Sequence, residues 1–83
     1  MGIRKLKSVL EHMGFDDLVV KLEKAPGSKV GGYVISEHFE GMTQAQRQKY
    51  VWDYLEGQLQ DDELKSIIAI LTMTPEETAD ARN

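Results

Sequence analysis

The stretch Leu18-Val19-Val20-Lys21-Leu22-Glu23-Lys24-Ala25-Pro26-Gly27-Ser28-Lys29-Val30-Gly31-Gly32-Tyr33-Val34-Ile35 decides the fold of this chain. Leu18, Val20 and Leu22 alternate with Val19, Lys21 and Glu23, which is the period of a strand with one buried face. Ala25-Pro26-Gly27-Ser28 then turns the chain, because proline presets one backbone dihedral and glycine accepts a positive φ. A second strand follows, read from Lys29 to Phe39 around Tyr33, Val34 and Ile35, and so short a loop makes the pair an antiparallel hairpin. Gly31 and Gly32 lie inside that strand, where paired glycines mark a bulge or a close backbone approach in preference to a binding feature.

Upstream of the hairpin, Leu6, Val9, Leu10 and Met13 recur at i, i+3, i+4 and i+7, one face of an amphipathic helix from about Ile3 that Gly14 closes. Downstream, Thr43 and Gln46 form a capping box, and Val51, Trp52, Leu55 and Leu59 line a helix from Gln44 to Leu59. Asp61-Asp62-Glu63 closes that segment. Ser66 to Met73 carries Ile67, Ile68, Ile70 and Leu71, a β-branched run expected to form a strand buried on both faces. Thr74, Pro75 and Glu77 open a last helix, with proline at its first position and the end from 79 to 83 expected to fray. The order α-β-β-α-β-α predicts an α+β fold: one small domain spanning 1–83, a three-stranded mixed sheet with helices on one face.

Composition narrows the function classes. With 83 residues, one compact core is available and a deep catalytic cleft is not expected. Cysteine is absent, so disulfides, thiolate metal sites and thiol nucleophiles are excluded, in keeping with a reducing, cytoplasmic location. After Arg4, Lys5 and Lys7 the apolar residues are separated by polar ones, so neither a signal peptide nor a membrane span is expected. The net charge of −4 opposes nonspecific nucleic-acid binding. The carboxylates Asp16-Asp17, Asp61-Asp62-Glu63 and Glu76-Glu77 fall at helix starts or turns, where they cap and solubilise, and no nucleophile elbow, phosphate loop or dinucleotide fingerprint is present. An enzyme is not expected.

Val34-Ile35-Ser36-Glu37-His38-Phe39-Glu40-Gly41 resembles the V-x-S-x-x-F-x-G pattern of the BolA family, and Arg47 follows Gly41 at that family's six-residue spacing. Val51, Trp52 and Leu55 are similar to its V-Y-x-x-L helix face, and Thr74-Pro75-Glu76-Glu77 resembles its terminal T-P-x-E. The resemblance implies a KH-like topology and a non-enzymatic interaction or regulatory module. It also implies a monothiol glutaredoxin or another iron–sulfur assembly protein as partner, a role in iron–sulfur or iron homeostasis, and an iron–sulfur cluster shared with the glutaredoxin. The family's strand histidine corresponds to Ser66, and in Gly27-Ser28-Lys29 the lysine stands where a loop histidine would be. Neither is an iron ligand here, since a serine hydroxyl stays protonated and an ammonium has no lone pair. The chain is expected to hold no metal or cofactor on its own and to be monomeric when alone.

His12, near the end of the first helix, and His38, expected to end the second strand facing solvent, are assigned to no metal. The alternative function is a nucleic-acid-binding transcriptional regulator, for DNA or RNA, using Lys21, Lys24, Lys29, Arg47 and Lys49 with Tyr50 nearby as a basic, partly aromatic surface.

Overall fold

Leu6 and Leu10 lose all solvent exposure on folding, and Met13 nearly all, so the first helix, α1 (Ile3–Glu11), is held by its apolar stripe against the sheet. The computed structural model describes residues 2–81. His12 is the C-cap of α1, and its Nδ1 lies 2.6 Å from the Ser8 carbonyl, one of the helix's last free acceptors. Two residues on, Gly14 turns the chain at φ 98°.

The hairpin consists of β1 (Val19–Ala25) and β2 (Lys29–Ile35), antiparallel, with Ala25 opposite Lys29 and Val19 opposite Ile35. Gly27 (φ 76°) and Ser28 (φ 60°) make the turn. β2 is the central strand. On its other side lies β3 (Ile67–Met73), parallel to it, so the sheet order is β1-β2-β3 and the sheet is mixed. The reading of the two glycines is met at both positions. A bulge falls between Val30 and Gly31, where Ile68 is the extra residue of β3. A Cβ at Gly32 would stand 2.0 Å from the Lys21 carbonyl oxygen, so β1 and β2 meet there at backbone distance.

The second strand is shorter than expected. β2 ends at Ile35, and Glu37–Phe39 is a single 3-10 turn instead of continued strand. The cause is local and tertiary together: the buried Ser36 hydroxyl accepts from the His38 N–H, while the Asp17 carboxylate, reaching across from before β1, accepts from the Ser36 hydroxyl (2.6 Å) and the Glu37 N–H (2.7 Å). These bonds divert the backbone from the ladder, and Phe39 enters the core fully buried.

α2 (Gln44–Gln58) starts on the expected capping box of Thr43 and Gln46 and buries Arg47, Val51 and Leu55 on one stripe. Asp61-Asp62-Glu63 does not merely close that segment; with Leu64 it forms one more helical turn, α3 (Asp61–Leu64), in which Glu63 accepts from the Gln60 N–H. α4 (Pro75–Ala81) opens as expected on Thr74, whose N–H donates to Glu77 and whose hydroxyl accepts from the Glu77 N–H. It runs to Ala81, and of the end expected to fray, Arg82 and Asn83 lie outside the described residues.

Val20, Val30, Val34, Ile67, Ile70 and Thr72 face the helices and are buried with Leu6, Leu10, Phe39, Val51 and Leu55. The opposite face is open. β3 is therefore not buried on both faces: Ile68 is 59% and Leu71 58% exposed, because no described helix crosses that side. Its outer edge is covered instead by α2 side chains, Gln48 Nε2 donating to the Ile70 carbonyl (2.7 Å) and Gln44 Nε2 to the Thr72 carbonyl (3.3 Å).

Candidate functional site

The two positions singled out on the resemblance, Lys29 and Ser66, lie 37 residues apart in sequence and side by side in the fold. The parallel ladder starts there: the Val30 N–H donates to the Ser66 carbonyl at 2.8 Å, and Lys29 Nζ donates to the Lys65 carbonyl at 2.8 Å. Ser66 Oγ donates to the Glu63 carbonyl at 2.6 Å and closes α3 onto β3. The junction is thus a small platform made by the hairpin turn and the α3–β3 corner.

An iron–sulfur cluster does not fit the donors of this platform. The Lys29 ammonium is engaged as a donor, and the Ser66 hydroxyl spends its proton on a carbonyl. Neither offers the soft or imidazole lone pair such iron prefers. Among the described residues no group of three or more His, Cys, Asp or Glu side chains stands close enough to hold a metal ion.

The five basic residues of the nucleic-acid reading do not form one surface. Arg47 is 5% exposed and faces inward, its Nε donating to the Phe39 and Met42 carbonyls at 3.1 Å each and its Nη1 to Glu77 at 2.7 Å. The expected surface role of Arg47 is corrected by this burial. Lys49 is exposed but paired with Asp53 at 2.7 Å, a contact that raises its pKa. Lys21 projects from the open face of the sheet, which the core separates from α2, and Lys24 and Lys29 flank the hairpin turn. The arrangement gives one small cationic corner at the turn and no continuous phosphate track.

His38 is not at a strand end. It sits in the 3-10 turn and stacks on Phe15, with ring centroids 4.5 Å apart and planes 10° from parallel, while Tyr50 stacks on Phe15 at 5.5 Å. Phe39 meets the same ring edge-on. This aromatic group ties the α1–β1 loop to α2. Phe15 belongs to no periodic run, so spacing gave no signal for it.

The Asp17 carboxyl is held below its ordinary pKa by the Glu37 N–H and then the Ser36 hydroxyl, Glu63 by the Gln60 N–H and then Lys5, and Glu77 by Arg47 and then the Thr74 N–H. Depressed carboxylates stabilise the fold at pH values above the ordinary carboxylate range and lose that contribution as pH falls through their lowered values. The thermal midpoint is therefore expected to be flat near neutrality and to drop progressively below about pH 4.5. Asp17→Asn should flatten part of that acid slope; an unchanged slope in a melt series from neutral to acidic pH would remove Asp17 from the account.

Tyr33, Ala69, Ile68 and Leu71 on the open face, with Lys21 and Glu23 beside them, border a shallow depression of about 550 Å³ floored by Gly31 and Gly32. The sequence reading missed this surface. Its only sequence signal is the side chain missing at Gly31, two positions before Tyr33 on the same face of β2. Among the described residues no helix is long and apolar enough to cross a membrane. No family model and no curated protein matches the chain.

Proposed function

We propose that this chain is a non-enzymatic, BolA-like docking module that binds a monothiol glutaredoxin, or a related iron–sulfur assembly protein, without supplying a ligand of its own. The observation that carries this reading is the pairing of the hairpin turn at Lys29 with the α3–β3 corner at Ser66. The two resemblance-derived ligand positions meet on one platform, although neither residue ligates iron. Their polar groups are satisfied inside the chain, so a partner would meet a preformed surface with little ordering to do on binding. The scattered placement of Lys21, Lys24, Lys29, Arg47 and Lys49 weighs against nucleic acid as the partner.

Mixing the protein with a cluster-loaded monothiol glutaredoxin tests this. A complex by gel filtration, with the visible spectrum of the cluster left as in the glutaredoxin alone, is the expected result. Absence of a complex overturns the reading. Ser66→His places an imidazole on the platform and is expected to change the spectrum of the mixture where the natural chain leaves it unchanged. A histidine-like spectrum with the natural chain would show instead that Ser66 is misplaced or that His38 donates, and His38→Ala separates those two.

A further inference from the structure

The two edges of the sheet are treated differently. On β3 the outward carbonyls of Ile70 and Thr72 are occupied by Gln48 and Gln44, so that edge is closed to another strand. On β1 the Lys21 carbonyl points into the sheet, within 2.0 Å of where a Cβ of Gly32 would stand. Backbone groups alternate along a strand, so those of Val20, Leu22 and Lys24 point outward. Among the described residues no backbone or side-chain group from outside the sheet reaches them. Val19, Lys21, Glu23 and Lys24 are exposed, and Leu22 is only half-buried.

From this edge we infer that two copies of the chain associate through antiparallel pairing of β1 with β1, making one six-stranded sheet in place of the monomer expected from the sequence. A two-fold axis through Leu22 sets the register, and the order of charges along the strand selects it. Leu22 faces Leu22 of the second copy, Lys21 faces Glu23 and Glu23 faces Lys21, and Val19 faces Ala25. Neither Lys21 nor Glu23 has an ion-pair partner inside the chain among the described residues. Lysines alone would guard such an edge by repulsion; a glutamate two positions from Lys21 makes it complementary to itself. The outward groups of Val20, Leu22 and Lys24 would form about six interchain backbone hydrogen bonds, and the remaining exposed part of Leu22 would be covered. Lys21 and Glu23 lie in the closely spaced, non-hydrogen-bonded pairs, where opposite side chains approach most nearly. The contact is narrow, so the association is weak and depends on concentration.

Sedimentation equilibrium over a wide concentration range at low salt tests the inference. The natural chain is expected to pass from monomer to dimer. Glu23→Lys and Lys21→Glu each replace two attractive pairs by two repulsive ones, and each should weaken association by about tenfold or more. Both residues are exposed, so unchanged far-ultraviolet dichroism serves as the folding control. An equimolar mixture of the two variants, or the double variant K21E/E23K, restores complementary pairs and should restore the dimer. A natural chain that stays monomeric throughout overturns the inference, as does a dimer indifferent to the single reversals or a mixture that fails to reassociate. A dimer abolished by Leu71→Lys but not by Glu23→Lys also overturns it, because that result places the contact on the open face of the sheet.

Discussion

Gly32→Ala is expected to cost roughly 4 kcal/mol or more, a large fraction of the total stability of a domain of this size. The added Cβ would stand 2.0 Å from the Lys21 carbonyl oxygen and 2.8 Å from the Leu22 Cα. Both are backbone atoms of the neighbouring strand, so no side-chain rotation relieves the clash, and β1 must move away from β2. That movement breaks the ladder on the central strand and lifts Val20 from Val34, its partner across the ladder, and from the core. Gly31→Ala is the control. Its Cβ would meet the Ala69 carbonyl at 3.4 Å, an ordinary contact, and the change is expected to stay within about 1 kcal/mol, helped by the lower entropy of the unfolded chain. Urea denaturation followed by far-ultraviolet dichroism reads both variants; equal stabilities would refute the close approach at Gly32.

Arg47→Ala should have the next largest effect, a loss of about 2–4 kcal/mol. The buried guanidinium is the common partner of three separate segments. It satisfies the Phe39 and Met42 carbonyls in the turn that leads into α2, reaches the Thr72 carbonyl at 3.5 Å, and holds Glu77 on α4 at 2.7 Å. Its removal leaves the Met42 carbonyl without a donor and takes one of two donors from the Phe39 and Thr72 carbonyls, which keep the Met42 N–H and Gln44 Nε2. At buried or part-buried acceptors that costs more than the loss of a surface pair. The guanidinium also lies over the Phe39 ring, 5.9 Å from its centroid. Arg47→Lys should recover only part of the loss, because an ammonium cannot reproduce the planar fork that serves the turn and Glu77 together. Glu77→Gln should be much milder, since Glu77 is 44% exposed and the carbonyl contacts of Arg47 remain. The ranking Arg47→Ala, then Arg47→Lys, then Glu77→Gln is the test. Should Glu77→Gln match Arg47→Ala, the ion pair and not the carbonyl cradle would be what holds this corner.

Features that depend on residues within a few positions of each other were legible from the sequence alone. The capping boxes at Thr43–Gln46 and Thr74–Glu77, the turn at Gly27, the alternation along β1 and the stripe of α1 are all of this kind, and together they specify an α+β chain with three strands in the observed order. Local hydrogen bonds and side-chain periodicity carry that information without reference to the rest of the molecule. Tertiary structure decided the rest. An apolar run such as Ile67–Met73 reads the same at a sheet's centre and at its edge, so only the strand order and the bare face beside it exposed Ile68 and Leu71. Arg47 looked like a surface cation because its acceptors come from a preceding turn, a strand and a later helix, which no window on α2 contains. β2 stopped at Ile35 because Asp17, nearly twenty residues upstream, captures Ser36 and Glu37. Lys29 and Ser66 share a platform only because β3 returns parallel to β2 and begins at the hairpin turn. In each case a pattern in the sequence reports which side of an element is apolar or charged, whereas the partner that covers or engages that side arrives from a distant part of the chain.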